Sequence, residues 1–207
     1  MAAVEVAGRT ALVTGANRGI GKEIVAALVQ NGVGKVYAAV RDLSTVAPLR
    51  EQHGDVIEPV RLNLSDESSI NSAAIVASDC EIVICNAGVL RTATVFSDDV
   101  YDALSFELEG NLFGFIRVVR AFAQVLKANG GGAIVQMNSI VSMKCFPEFT
   151  TYCASKAASY AVTHALNFQL REQGTRVFSV HQARSPLTWV MLRASRPSRS
   201  PPRLSPA

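Results

Sequence analysis

The sequence predicts a doubly wound α/β fold, in which helices cover both faces of a parallel sheet. Short runs rich in Val and Ile alternate with longer amphipathic stretches from residue 10 to residue 181. The short runs are apolar at successive positions, as expected of strands buried on both faces. Turn residues bound these runs, and the order is strand then helix throughout. We expect the strand order 3-2-1-4-5-6 within the sheet.

Each element follows from this alternation. The predicted strands are Thr10 to Thr14, Val36 to Val40, Val56 to Leu62, Ile82 to Cys85, Ala133 to Asn138 and Arg176 to Val180. The predicted helices lie at about Gly19 to Asn31, Ser44 to Gln52, Glu67 to Ala77, Asp98 to Ala128 and Tyr152 to Gln173.

Composition indicates one compact domain, residues 1–181. The chain has 207 residues, 49% hydrophobic and 18% charged, which is typical of a globular protein with a sizeable core. The net charge of +3 is unevenly placed, because residues 182–207 hold five arginines and no acid. The first 181 residues are therefore slightly acidic, and we expect no nucleic-acid partner.

Cysteine and histidine usage argues against a metal site. Four cysteines form no Cys-x-x-Cys pair, and the three histidines are scattered. Unpaired thiols suit a reducing compartment. The N-terminus does not resemble a signal peptide, and no segment offers about 20 apolar residues for a membrane span. We expect a cytoplasmic protein with no metal and no membrane partner.

The pattern changes after His181. Residues 182–207 contain five of the eight prolines together with many Ser and Arg, and only Leu187 to Leu192 has the apolar character of an element. This composition predicts a largely disordered tail.

A glycine-rich turn follows the first strand. Gly15, Gly19 and Gly21 have the spacing G-x-x-x-G-x-G and open a helix. Glycines here let the backbone approach a pyrophosphate at the helix N-terminus. A P-loop would need four residues between its glycines and a Ser or Thr after the Lys, and Glu23 follows Lys22 instead. A dinucleotide is therefore favoured, the alternative being a purely structural turn.

The end of the second strand favours NADP(H) over NAD(H). Val40 stands where NAD sites carry an acid, and Arg41 follows it. An arginine accommodates the extra phosphate of NADP, and Arg18 in the glycine turn is a second candidate. The alternative is that Arg41 and Asp42 are simply solvated at a strand end.

Tyr152 and Lys156 lie four residues apart in a predicted helix and so share a face. A nearby ammonium favours the phenolate, which lowers the pKa of a phenol and equips it for proton transfer. Alone, the pair also fits a solvated helix face. The surrounding motifs favour a functional pair. Asn86-Ala87-Gly88 and Ser139 lie at the carboxyl ends of strands, where such sheets bind ligands, and Asn111 lies in the long helix.

These motifs, in this order and spacing, resemble those of the short-chain dehydrogenase/reductase family over residues 8 to 181. The resemblance implies a Rossmann fold and NADP(H)-dependent hydride transfer between a carbonyl and an alcohol, as in a carbonyl reductase. It implies that the cofactor is bound by Gly15, Asn17, Arg18, Gly19, Ile20, Gly21, Arg41, Asn63, Asn86, Ala87, Gly88, Tyr152 and Lys156. Asn63 stands where the family commonly has an Asp that contacts adenine.

The resemblance also implies the catalytic roles. Tyr152 is the general acid or base, Lys156 lowers its pKa and holds the ribose, and Ser139 donates a hydrogen bond to the substrate oxygen. Asn111 positions a water in the proton relay. Individually, Ser139 also fits a strand-end cap and Asn111 an ordinary helix amide.

One part of the family pattern cannot be found. Gln182 and the residues after it replace the usual Pro-Gly turn, the substrate-covering segment and the seventh strand, as in a truncated or altered family member. This keeps a second function open, namely a dinucleotide-binding or interaction protein with impaired catalysis. The resemblance further implies a homodimer through the helices that contain Asn111 and Tyr152.

Overall fold

The computed structural model describes residues 4–182 and 189–190. The strands are β1 (Thr10–Thr14), β2 (Lys35–Val40), β3 (Ile57–Arg61), β4 (Ile82–Cys85), β5 (Gly132–Ser139), β6 (Thr175–Gln182) and β7 (Trp189–Val190). The α-helices are α1 (Gly19–Gln30), α2 (Ala47–His53), α3 (Glu67–Val76), α4 (Val100–Leu108), α5 (Gly114–Ala128) and α6 (Thr150–Gln169). Short 3₁₀ turns cover Leu43–Val46, Gly54–Val56, Ile140–Ser142 and Pro147–Phe149.

The sheet has the predicted topology. Its order is β3-β2-β1-β4-β5-β6-β7, and the first six strands pair in parallel. The predicted order 3-2-1-4-5-6 and the doubly wound fold are confirmed. Neighbouring residues of β1 point to opposite faces, so that Leu12 packs beneath α3 and α5 while Val13 packs beneath α1 and α2.

The long predicted helix from Asp98 to Ala128 contains an irregularity that the sequence does not reveal. A π turn, Glu109–Phe113, separates α4 from α5. Such turns insert one residue into a helix and occur often at functional sites. Asn111 lies within this one.

The sheet also extends beyond the predicted sixth strand. Trp189–Val190 pairs antiparallel with His181 and Gln182 at the end of β6, where the sequence predicted no seventh strand. Pairing is favourable there because an edge strand presents unpaired backbone N–H and C=O groups. The rest of the predicted tail, 183–188 and 191–207, lies outside the described residues.

The described residues were also compared with the requirements of a membrane span and of a metal site. None of their helices is long and apolar enough to cross a membrane. No group of three or more His, Cys, Asp or Glu side chains among them is arranged to hold a metal ion.

Candidate active site

A groove of about 640 Å³ opens at the carboxyl ends of β1 to β4. The parallel strands place the glycine turn, the end of β2 and the Asn86-Ala87-Gly88 segment at one edge of the sheet. Of the predicted cofactor residues, those that line the groove are Gly15, Asn17, Arg18, Gly19, Ile20, Arg41, Asn63, Asn86, Ala87 and Gly88. Gly21, Tyr152 and Lys156 do not line it.

Glycine is required in the turn for two separate reasons. Gly15 and Gly19 have φ values of +66° and +53°, a region that other residues rarely adopt. Gly21 is needed for space, since a Cβ there would lie 2.1 Å from the carbonyl oxygen of Gly15. The turn leads into the N-terminus of α1, which has no acidic residue in its first turn. This is a suitable cradle for a phosphate.

Thr14 and Asn86 join the glycine turn to the end of β4. The Thr14 hydroxyl accepts hydrogen bonds of 2.9 Å from the backbone N–H groups of both Asn86 and Ala87. The Asn86 amide donates to the carbonyl oxygen of Thr14 at 2.9 Å. The floor of the groove is therefore held by side chains that bridge two adjacent strands.

Two arginines lie where the sequence placed them, because Arg18 and Arg41 both line the groove. Asp42, next in the chain, accepts hydrogen bonds from the backbone N–H and the hydroxyl of Ser44, at 3.0 and 2.8 Å. These bonds lower the pKa of Asp42. Its carboxylate is thus engaged in capping the following turn.

Ser139 and Tyr152 meet beyond the groove. Ser139 ends β5, and Tyr152 lies in the first turn of α6. The pKa of Tyr152 is raised to about 12, chiefly by burial and secondly by the negative charge of Glu107, while the interaction with the Ser139 hydroxyl opposes both effects. The phenol is therefore protonated near neutral pH. The spacing of Tyr152 and Lys156 predicted a lowered pKa for this phenol; the pKa is raised instead, because burial dominates.

Lys156 is almost fully buried, at 4% exposure. Its ammonium lies 5.9 Å from the centre of the Tyr152 ring and donates to the carbonyl oxygen of Met137 at 3.2 Å. Burial lowers its pKa to about 8, so it is still mainly cationic at neutral pH. The two side chains share one face of α6, as the four-residue spacing predicts.

Asn111 connects the π turn to Val89, which follows the Asn86-Ala87-Gly88 segment, and to Ser155 on α6. Its carboxamide accepts from the N–H of Val89 at 2.8 Å and donates to the carbonyl oxygen of Val89 at 2.9 Å. It also donates to the Ser155 hydroxyl at 3.0 Å. These are structural contacts, and its role in a proton relay stays a prediction.

The groove meets the candidate catalytic cluster, formed by Asn111, Ser139, Tyr152 and Lys156, at Gly88. A Cβ on this residue would lie 2.8 Å from Asn111 Oδ1 and 3.6 Å from Lys156 Nζ. Gly88 therefore allows the buried amide and ammonium to lie directly behind the lining of the groove.

Sequence reasoning counted Thr14 in the glycine-turn motif without giving it a role, and it missed Glu107. Thr14 precedes the first glycine of the turn, and a hydroxyl at a strand end was a usable signal. Glu107 is completely buried and accepts from the backbone N–H of Arg91 at 2.7 Å. In sequence it resembles any acid on an amphipathic helix, except that it lies four residues before Asn111.

A glycine turn at a helix N-terminus, an open groove and a cluster of half-buried Ser139 and Tyr152 with buried Lys156 are together characteristic of an oxidoreductase with a dinucleotide-binding α/β sheet. Comparison gives the particular family. Residues 9–184 match the model of the short chain dehydrogenase family, and the chain belongs to it.

Individual relatives agree with this assignment. The chain is 33% identical to an L-xylulose reductase of Cavia porcellus over 178 residues, 85% of this chain and 71% of the relative. It is 28% identical to an NADP-dependent 3-hydroxy acid dehydrogenase of Schizosaccharomyces pombe over 182 residues, 84% of this chain and 70% of the relative. The crystal structure of a short chain dehydrogenase from Burkholderia cenocepacia, in complex with NADP, superposes with a TM-score of 0.81 and 34% identity, covering 86% of this chain and 73% of that one.

Proposed function

We propose that this protein transfers hydride between NADP(H) and a small carbonyl or alcohol substrate, with Tyr152 as the proton donor and acceptor. The observation that carries the proposal is the junction at Gly88. It brings Lys156 Nζ and Asn111 Oδ1 directly behind the groove, and Lys156 Nζ lies 5.9 Å from the centre of the Tyr152 ring, whose hydroxyl interacts with Ser139.

The residues of the groove fit a dinucleotide. The glycine turn and the N-terminus of α1 would hold the pyrophosphate, and Asn86 and Gly88 would hold the nicotinamide half. A substituent at Gly21 would close the cradle. When bound, the nicotinamide supplies or accepts the hydride. Every other step falls to side chains of this chain.

Preference for NADP(H) rests on charge. Arg18 and Arg41 would meet the additional phosphate of the adenosine ribose. Val40 offers no carboxylate to the ribose hydroxyls, and that of Asp42 is bound to Ser44. The names of two relatives, one complexed with NADP and one NADP-dependent, support the same preference.

The protonation states favour carbonyl reduction. A protonated Tyr152 can donate its proton to the substrate oxygen as negative charge develops there, and Ser139 can stabilise that oxygen by a hydrogen bond. The Lys156 cation, close to the ring, lowers the energy of the phenolate that remains. Proton return to Tyr152 would restore the starting state.

Tyr152→Phe tests this function. We expect the wild type to bind NADPH, observed by its fluorescence, and to consume it with members of a panel of aldehydes, ketones and quinones. Removing the hydroxyl should reduce turnover roughly 10²- to 10⁴-fold while NADPH binding persists. Tyr160→Phe is the matched control, because Tyr160 lies on the same helix and packs against His164 and His181 instead. NADPH binding by the wild type without turnover of any substrate would contradict the proposal.

Two further expectations accompany this function. A homodimer through the helices containing Asn111 and Tyr152 is supported by exposed aromatic side chains on them, Tyr101, Phe113 and Phe168. Light scattering would give the mass in solution. A cytoplasmic location suits the four cysteines, which are all free.

A further inference from the structure

Glu107 is the buried charge that the proposed chemistry leaves unused. Its side chain has no solvent exposure. One carboxylate oxygen accepts from the backbone N–H of Arg91, and the other has no hydrogen-bond partner among the described residues. Burying a carboxylate without full compensation is costly. Such a cost is characteristic of functional sites.

The position of Glu107 relates it to two parts of the site. It lies one helical turn before Asn111, and α4 packs against α6. Asn111 fixes both backbone groups of Val89, and Glu107 fixes the N–H of Arg91 two residues later. Together they hold the chain that leaves Gly88 and continues past the catalytic cluster.

No described cation neutralises Glu107. The guanidinium of Arg91 lies over the ring of Phe106, 4.5 Å from its centre, and no ion pair between Arg91 and Glu107 is formed. Glu107 lies on α4, which packs against α6, the helix that carries Tyr152. Burial is the main cause of the raised pKa of Tyr152, and the Glu107 carboxylate is the second. The remaining titratable groups on α6 are Cys153, Lys156, Tyr160 and His164. Those on the described elements packed against α6 are Tyr101, Asp102, Glu109, Glu148, Arg176 and His181.

We propose that Glu107 is a positioning residue of the catalytic site, which holds the 89–94 segment through Arg91 and presents a carboxylate to the Tyr152 phenol. This inference rests on the proposed function, since it assigns Glu107 a part in keeping the proton on Tyr152. A negative charge beside a phenol opposes formation of the phenolate. Glu107 thereby biases the site towards carbonyl reduction.

Glu107→Gln tests the electrostatic part. Glutamine keeps the shape and the acceptor for Arg91 but removes the charge. In full-length protein labelled with [¹³Cζ]tyrosine, the Tyr152 resonance is assigned by its loss in Tyr152→Phe and followed by NMR over the pH range in which circular dichroism shows an intact fold. We expect the titration of Tyr152 to move to lower pH in Glu107→Gln. Superimposable titrations of the wild type and Glu107→Gln would overturn the proposal.

The matched control is Glu109→Gln. Glu109 is two residues away but forms an ion pair with Arg117 on α5, so the Tyr152 titration should stay where it is in the wild type. An equal shift in both variants would also overturn the proposal, because it would reflect net charge alone.

Hydrogen exchange of the Arg91 amide tests the positioning part. Glu107→Ala removes the acceptor, and we expect this amide to exchange roughly tenfold faster than in the wild type, while Glu107→Gln stays within a few-fold of it. Unchanged exchange in Glu107→Ala would overturn the positioning role. Neither measurement requires turnover, so a wild type that fails to oxidise NADPH would contradict the proposed function and leave both results on Glu107 readable.

Discussion

The groove and the candidate catalytic cluster adjoin at Gly88 but differ in the kinds of residue that form them and in how deeply these are buried. The groove includes a glycine turn, two side chains that bridge β1 and β4, and two exposed arginines, Arg18 and Arg41. The candidate catalytic cluster combines half-buried Ser139 and Tyr152 with an ammonium, a carboxylate and an amide that are each less than 5% exposed. The first region presents arginines to water, whereas the second keeps an ammonium and a carboxylate away from it.

This difference has an energetic consequence. A phosphate cradle that consists of backbone N–H groups and a glycine turn is part of the ordinary strand-to-helix connection, so it costs the fold little stability. Buried Lys156 and Glu107 are destabilising in themselves, because desolvation penalises each charged form. We therefore expect substitutions in the groove to change binding and substitutions in the cluster to change stability and proton transfer.

Gly21→Ala should have the largest effect on the groove. Its Cβ would overlap the Gly15 carbonyl oxygen at 2.1 Å, which forces the glycine turn out of position. We expect NADPH affinity, measured by fluorescence titration, to fall roughly a hundredfold, or about 2.7 kcal/mol. Gly34→Ala is the control, since its Cβ would lie 2.6 Å from the Gly8 carbonyl oxygen, away from the groove. It should lower stability yet preserve NADPH affinity, and equal losses of affinity in both variants would refute the distinction.

Lys156→Met should have the next largest effect. Unlike Gly34→Ala, it should raise the stability of the protein. The pKa of Lys156 falls from 10.5 to about 8 on folding, so the charged form is disfavoured in the native state. After allowing for the lost hydrogen bond to Met137, we expect the free energy of unfolding at pH 7 to rise by about 2 kcal/mol. Turnover should be lost in the same variant, as expected when function requires a destabilising group.

The pH dependence of this gain identifies its origin. Between about pH 8 and 10.5 the unfolded wild type binds more protons at Lys156 than the folded one, so wild-type stability rises with pH there. The advantage of Lys156→Met should be constant below pH 8 and shrink above it, in urea denaturation at several pH values. Lys35→Met is the control. The ammonium of Lys35 pairs with Asp79, which raises the pKa of Lys35, so we expect no gain in stability when it is removed. A gain independent of pH would point to packing instead of charge.

The two regions also differ in how far sequence predicts them. The groove followed from local spacing, and β1 and β4 were placed to the residue because glycine turns and apolar strands are short-range signals. The cluster depends on contacts across the chain. Neither the π turn at Asn111 nor the burial of Glu107 leaves a local signal, since one inserted residue hardly alters helical periodicity and a glutamate suits any exposed helix face. The spacing of Tyr152 and Lys156 gave their common face but not the burial that dominates both pKa values.

Arg41→Ala should have a smaller effect, limited to cofactor choice. If the guanidinium meets the additional phosphate, its loss should weaken NADPH binding about tenfold, or 1.4 kcal/mol, and leave NADH binding nearly unchanged. Parallel titrations with the two cofactors measure the ratio, and higher salt should reduce the difference. Arg50→Ala removes an exposed arginine of α2 outside the groove and should change neither affinity. Equal weakening of NADPH and NADH by Arg41→Ala would exclude phosphate recognition by this residue.

Asn63→Asp should have the smallest effect. Asn63 lines the groove, but its Oδ1 already accepts from the backbone N–H of Ser65 at 3.3 Å, and its own N–H donates to the Ser69 hydroxyl at 3.0 Å. An aspartate keeps both bonds and restores the residue common in the family, so NADPH affinity should stay within about threefold of the wild type, or 0.6 kcal/mol. Asn71→Asp makes the same chemical change on the exposed side of α3 and measures the effect of the added charge alone. A tenfold change at Asn63, absent at Asn71, would mean that this side chain recognises the cofactor directly, and that the groove, like the cluster, depends on an individual side-chain contact.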